Sequence, residues 1–506
     1  MIFSKWVSSW ARIKPDDVAV KSPDRAVTWK DLDVRASSIA HVLDDLGVCP
    51  GDRVACLLNN RVEYFEVLAG ITRAGAVFVP LNAMATAPEL INVVTDCGAR
   101  VIFTDADFDS ELDALVDATS AAIVNVGGEL GVISHDLDQL ARHVPTTHAG
   151  VHRNMDDAVC IYYTSGTTGM PKGAVISNSN IHFATLNWLV DLGFTQDDRF
   201  LLNLPMCFTG AMAIAAPALH GGMTILLERG FDAGRTLELI ETERTTFMVA
   251  VPTMALAIMR HPDFETRDLS SMRMVLCGAA PVPMSVFQTW TDRGVPFISS
   301  FGMTEVAGGF TMITPVDQAA RRLGSAGRAC LYTEAMIVDD NGSAAAPNDV
   351  GELLIRGPLV FGGYWNNPEE TRKAIVNGWL HTGDLARRDE DGFFEVVDRK
   401  KDIVISGALN IYPAEVERVL IALPGVHECA VFGLPHETWG EELNVAVVLA
   451  EGAVLTHSDV IAFCKANLAS YKAPKRVHFV DAFPRTTSGK VKKRALRDAL
   501  ASAVDA

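Results

Sequence analysis

Tyr163-Thr164-Ser165-Gly166-Thr167-Thr168-Gly169-Met170-Pro171-Lys172-Gly173 is the stretch on which the reading of this chain turns. Seven of its eleven residues are Thr, Ser or Gly, and they follow Ala158-Val159-Cys160-Ile161-Tyr162, whose apolar run predicts a short buried strand. Glycine lets backbone N–H groups turn toward an anion at close range. The hydroxyls of Thr164, Ser165, Thr167 and Thr168 add further donors, and Lys172 adds a positive charge at the edge. Such a loop leaving a strand is a candidate phosphate cradle. Its spacing departs from G-x-x-x-x-G-K-[ST], so it is not the P-loop of the usual nucleoside triphosphatases. Taken alone, the stretch reads equally well as a polar surface loop.

Taken whole, the eleven residues closely resemble the signature loop of the adenylate-forming superfamily, which includes acyl-CoA synthetases, the adenylation domains of peptide synthetases, and luciferases. The resemblance implies that Thr164, Ser165, Gly166, Thr167, Thr168, Gly169 and Lys172 hold the β- and γ-phosphates of ATP.

Composition bounds the alternatives. A chain of 506 residues is long enough for a large subdivided domain plus a smaller one. A net charge of −18 argues against nucleic acid as a partner, because phosphate backbones require a basic surface. Nine scattered cysteines without a C-x-x-C pair disfavour a disulfide framework or a zinc site. No apolar run reaches membrane-helix length, and the N-terminus lacks the pattern of a secretion signal. The expectation is a cytoplasmic chain with no integral membrane segment; a homodimer is left open.

Residues 1–150 alternate helical and strand patterns, which implies a parallel sheet with crossover helices. Residues 151–310 repeat that pattern, with strands expected at 200–203, 223–227, 247–251 and 274–277. Ligands of open α/β sheets bind at the carboxyl ends of strands, and three motifs fall there. Leu204-Pro205-Met206-Cys207-Phe208-Thr209-Gly210 stands where the family usually has Pro-x-x-His; Phe208 by itself reads more readily as core packing. Amino-acid-activating relatives carry an Asp at the position of Thr209, so an amino acid substrate is disfavoured. Gly278-Ala279-Ala280-Pro281 resembles the segment that contacts adenine, although those four residues suit a helix N-terminal turn as well. In Phe301-Gly302-Met303-Thr304-Glu305, the resemblance puts Phe301 on adenine, Thr304 at the α-phosphate and Glu305 on Mg²⁺, a hard cation suited to carboxylate and phosphate oxygen. Alone, Glu305 would be a solvated charge.

From about 320 to 398, short strands divided by Gly, Asn and Asp predict a small antiparallel barrel or sheet. Within it, His381-Thr382-Gly383-Asp384 resembles the segment whose Asp binds the ribose diol; without its neighbours Asp384 is a turn residue. Asp398-Arg399-Lys400-Lys401-Asp402 reads as a charged linker. The resemblance adds Arg399 as a nucleotide contact and Lys401 as the hinge. Gly407 and Ala408 stand at the tunnel for the pantetheine of CoA, where Ala408 and Leu409 depart from the family's Ser-Gly-Gly-Glu-Asn. Thr486-Thr487-Ser488-Gly489-Lys490 matches the catalytic lysine loop; alone, the basic cluster around it would be a solvated tail.

These motifs occur in family order over nearly the whole chain. The implied fold is α/β: a large N-terminal domain of α/β subdomains with a small β-rich part over residues 1–398, a hinge at 399–401, and a mobile α+β C-terminal domain at 402–506. The implied activity is that of an AMP-forming acyl-CoA synthetase using ATP, Mg²⁺ and CoA, with Lys490, Thr164 and Glu305 catalytic and Thr164 with Glu305 at the metal. The resemblance lines the acid pocket with Met206, Cys207, Phe208, Met212, Ala279, Met303, Val306, Ala307 and Gly308, none charged, which points to a fatty, aromatic or alicyclic acid. Two alternatives stand beside it: an adenylating enzyme that loads a carrier protein or other acceptor, and a nucleotide-binding protein without catalysis.

Overall fold

The computed structural model describes residues 2–164, 171–278, 282, 284–406, 409–436, 439–485 and 491–502. Its first sheet has eight strands, in the spatial order Gly363–Tyr364, Lys172–Ser177, Ala158–Thr164, Val77–Pro80, Arg53–Leu57, Val101–Thr104, Ala122–Asn125 and His135–Asp136. The expected parallel pairing holds from Ala158–Thr164 onward. The first two strands of that order run antiparallel to their neighbours.

The second sheet, of nine strands, contains Arg199–Leu202, Thr224–Leu227, Phe247–Ala250 and Met274–Cys277, close to the expected positions, and also Phe297–Gly302. Near the N-terminus, Val18–Lys21 pairs parallel with Thr224–Leu227, so the chain starts in this sheet before it builds the first one. Long-range pairing of that kind leaves no local signature in the sequence. Helices Trp29–Asp45, Val62–Arg73, Asn178–Asp191 and Thr209–Gly221 share one continuous apolar core with strands of both sheets. Their starts are fixed locally in two cases by reciprocal caps, Thr28 with Asp31 and Ser177 with Asn180.

The region expected to be β-rich is an antiparallel sheet of Glu334–Val338, Gly351–Arg356, Trp379–Arg388, Ile375–Val376 and Phe394–Arg399. A fourth, smaller sheet carries Val404–Ser406, Leu409–Ile411, Val426–His436, Gly440–Leu449 and Arg476–Phe479, and has its own apolar core. The overall class is therefore mixed α/β, with a large N-terminal assembly and a smaller C-terminal one. The Asp398 carboxylate accepts from the Ala414 N–H at 2.7 Å, so it caps helix Pro413–Leu420 from beyond the Lys400–Asp402 turn. All nine cysteines are free. Among the described residues, no helix is long and apolar enough to cross a membrane.

Candidate active site

The strand before the small-residue stretch runs to Thr164, and Lys172 begins its antiparallel partner, with Thr164 and Lys172 opposite each other. The stretch is thus the connection of a β-hairpin, where the sequence suggested only a loop leaving a strand. Ser165, Gly166, Thr167, Thr168 and Gly169 lie outside the described residues. The Thr164 hydroxyl donates to the Lys172 carbonyl at 3.4 Å. The Lys172 ammonium is paired with Glu370, on helix Pro368–Ala374, and lies 5.6 Å from the centre of the Tyr364 ring. Hydrogen bonds from Lys172 and then Lys373 hold the Glu370 carboxyl down at about 2.

The second motif leaves strand Phe297–Gly302 and forms a short 3-10 turn, Thr304–Val306, ended by left-handed Ala307 and Gly308. The turn packs against strand Lys172–Ser177, which brings the two motifs together. Glu305 is 8% exposed. Its carbonyl accepts from the Phe361 N–H at 2.8 Å, and its Oε1 accepts from the Tyr364 hydroxyl at 2.7 Å. Among the described residues no other group engages the Glu305 side chain. Phe301 and Met303 are half-buried against the main core, and Gly302 is exposed.

The 204–208 turn is clamped by the loop and helix that follow strand Arg53–Leu57. Asn60 accepts from the Met206 N–H at 2.8 Å and donates to the Leu204 and Glu228 carbonyls, while the Tyr64 hydroxyl donates to the Met206 carbonyl at 2.9 Å. Phe208 is the half-buried residue that starts helix Thr209–Gly221. The Thr209 and Thr304 hydroxyls lie 3.0 Å apart, so the start of that helix meets the Glu305 turn. Gly308 passes so close that a Cβ there would stand 2.5 Å from the Thr209 carbonyl. Met206, Cys207, Met212, Val306 and Ala307 are buried, and all but Cys207 belong to the main core. Burial pushes the Cys207 thiol up to about 11, so it is a packing residue rather than a thiolate nucleophile at neutral pH. Gly278 ends strand Met274–Cys277 beside Ser300 and Phe310; Ala279 and Ala280 lie outside the described residues.

Asp384 is buried on strand Trp379–Arg388 and meets Arg399 of the neighbouring strand at 2.8 Å. Its N–H donates to the Thr382 hydroxyl, which in turn donates to the Leu353 carbonyl. Lys401 is exposed in the turn that follows. Gly407, Ala408 and Lys490 lie outside the described residues. Tyr364, Glu370 and Asn60 were missed by sequence reasoning; Gly362-Gly363-Tyr364-Trp365 was the available signal, an aromatic pair after two glycines.

Thr164 faces Lys172 across adjacent antiparallel strands, and Tyr364 joins that lysine to the buried Glu305; the fold and this cluster define an α/β protein with its candidate site at strand ends. Residues 7–365 match the AMP-binding enzyme family and residues 415–490 match the AMP-binding enzyme C-terminal domain. The chain belongs to the AMP-binding enzyme family. It is 39% identical over 493 residues to a feruloyl-CoA synthase of an Amycolatopsis species, spanning 97% of this chain and 98% of the relative. It is 35% identical over 483 residues to the long-chain-fatty-acid–CoA ligase FadD13 of Mycobacterium tuberculosis, spanning 96% and 95%. Among solved structures, it resembles o-succinylbenzoate CoA synthetase (MenE) of Bacillus subtilis in complex with the acyl-adenylate intermediate OSB-AMP. That match has a TM-score of 0.87 and 30% identity, over 98% of this chain and 97% of the other.

Proposed function

We infer that the protein is an AMP-forming acid–thiol ligase that activates an apolar carboxylic acid through an acyl-AMP intermediate and transfers the acyl group to CoA. The observation that carries this reading is the meeting of two distant motifs on one side chain: Lys172 lies over the Tyr364 ring and Glu305 accepts from its hydroxyl. An ammonium for phosphate and a carboxylate for a hard cation thereby border one site. Glu305 suits Mg²⁺ because one oxygen is held by the phenol and the carboxylate is otherwise unengaged among the described residues. Thr164, which opens the hairpin, is its companion in this reading. Bound Mg²⁺ would supply charge neutralisation at the phosphates.

In the first half-reaction, the acid carboxylate displaces pyrophosphate from the α-phosphorus of ATP and forms a mixed anhydride. In the second, the CoA thiolate attacks the acyl carbon and AMP leaves. Lys172, Thr304 and Lys490 are assigned to phosphate and developing charge, Asp384 to the ribose and Arg399 to the nucleotide. Phe301, Gly302, Met303 and the 278–280 segment are assigned to adenine, and Gly407 with Ala408 to the pantetheine tunnel. The uncharged wall of Phe208, Met212, Val306, Ala307 and Gly308 supports an apolar acyl group. Residues 1–398 carry ATP and acid, 399–401 the hinge, and 402–506 the mobile domain; a cytoplasmic location belongs to the same reading.

The test is pyrophosphate release with ATP and Mg²⁺ across fatty, aromatic and alicyclic acids, with and without CoA. An acid that yields pyrophosphate and a CoA thioester supports the ligase. The exposed isobutyl group of Leu409, beside the altered tunnel motif, favours a second reading in which a carrier-protein thiol accepts the acyl group. Pyrophosphate without thioester would select it.

A further inference from the structure

Glu305 stands at the buried end of the site, and a carboxylate that must present one oxygen to a cation needs its plane fixed. Its own 3-10 turn supplies only backbone anchorage. The fixing group comes from residue 364, whose hydroxyl donates to Oε1 at 2.7 Å. We propose that Tyr364 is a positioning residue for the proposed adenylation: its hydroxyl orients Glu305 so that Oε2 is left for the divalent cation of the nucleotide, while its ring supports the Lys172 ammonium. The assignment rests on the ligase reading above.

Three features separate this role from simple packing. Backbone bonds hold the residue without its hydroxyl: Tyr364 pairs with Ala174, its N–H donates to the Thr371 hydroxyl at 2.9 Å, and the Trp365 N–H donates to the Gly173 carbonyl at 2.7 Å. The ring packs edge-on against Phe361 with centroids 4.9 Å apart, a contact that phenylalanine would keep. The hydroxyl is spent on Glu305, which has no other side-chain partner among the described residues. Removing the oxygen therefore deletes one hydrogen bond to a charged acceptor and little else.

The experiment measures Mn²⁺ binding by electron paramagnetic resonance, at saturating non-hydrolysable ATP analogue, in the wild type, Tyr364→Phe, Glu305→Gln and the double variant. Tyr364→Phe is expected to weaken Mn²⁺ about tenfold, in the range of a lost bond to a charged group. Nucleotide binding without metal should be unchanged, and the substitution should have no further effect on Mn²⁺ in the Glu305→Gln background. Equal Mn²⁺ affinity in wild type and Tyr364→Phe overturns the assignment, as does an undiminished effect in the Glu305→Gln background. If the wild type binds the analogue but no Mn²⁺, the ligase reading itself falls and the assignment with it. Should Tyr364→Phe fold poorly, 4-aminophenylalanine placed at 364 keeps the ring and an N–H donor toward Glu305, and Mn²⁺ affinity close to the wild type is expected; a loss of about tenfold in that variant overturns the assignment.

Discussion

Arg399 Nε lies 2.8 Å from Asp384 Oδ1, and the two residues oppose each other on adjacent antiparallel strands. The Asp384 side chain is 4% exposed and that of Arg399 is 49% exposed, so the acid is the fixed partner and the guanidinium reaches out from it. This pair joins the segment proposed for the ribose to the residue that opens the proposed hinge. Asp384→Asn keeps the volume but removes the charge that anchors Arg399 and that is proposed to accept the ribose diol. The expected result is a KM for ATP raised about tenfold or more, with kcat changed less, on the scale of hydrogen bonds to charged groups. Initial rates of pyrophosphate release against ATP concentration check it.

The Lys172–Glu370 pair makes a prediction of opposite sign. Glu370 faces the ammonium that a triphosphate would also use, and its folded value of about 2 is depressed below the ordinary carboxylate range. Its contribution is present above the ordinary carboxylate value and is lost as pH falls toward about 2, so the pair persists at working pH. Removing the carboxylate takes a negative charge away from the phosphates. Glu370→Gln should bind ATP roughly three- to tenfold more tightly, as expected for one charge a few ångströms away in a largely aqueous setting. Equilibrium binding of metal-free ATP measures it.

Two glycines with similar backbone angles separate strain from crowding. Gly308 has φ +66, and a Cβ added there would meet the Thr209 carbonyl at 2.5 Å, whereas Gly383 has φ +71 and a Cβ there would find nothing within 4 Å. Gly383→Ala should cost about 1 kcal/mol for the left-handed conformation alone. Gly308→Ala should cost about 2–4 kcal/mol in total, because the helix start must also move, and it should raise the KM for the acid. Denaturant midpoints and acid titrations check the two.

Acid sensitivity should trace to His220. Burial, then the nearby His182, lowers its imidazole to about 4, while its Nδ1 meets the Thr185 hydroxyl at 2.8 Å and its ring stacks on Trp6. The folded value lies below the ordinary one, so the unfolded chain binds the proton first. The stabilisation is complete above the ordinary histidine value and fades as pH falls toward about 4. The full effect is about 3 kcal/mol, from the free energy carried by each unit of displacement. Urea midpoints at pH 7.5 and at about pH 5 should converge in His220→Gln relative to wild type. His182, also lowered by burial, leaves a residual slope.

Much of this architecture was legible because short apolar stretches set between turn residues favour strands over helices, which need about ten or more residues. Met274–Cys277 is such an apolar run, and Gly351–Arg356 is a short stretch with Leu353-Leu354-Ile355 at its centre. Partnership was not legible. The return strand Lys172–Ser177 is shorter and follows Pro171, so the hairpin was hidden. Glu370 meets Lys172 from 198 positions away, and Tyr364 meets Glu305 from 59 positions away. Local pattern specifies which face a residue shows, while the fold alone decides what that face meets. Asn60, buried on three backbone partners around the 204–206 turn and strand end, likewise has no local sequence signal for its partners.

In the proposed adenylation the acid's own carboxylate oxygen attacks the α-phosphorus of ATP before any thiol is involved. The most direct measurement uses an acid accepted by the enzyme, labelled with oxygen-18 in both carboxyl oxygens, with ATP, Mg²⁺ and CoA, followed by mass spectrometry of the products. One labelled oxygen is expected in AMP, none in pyrophosphate and one in the thioester carbonyl. Unlabelled AMP, or label appearing in inorganic phosphate alongside ADP, would contradict it.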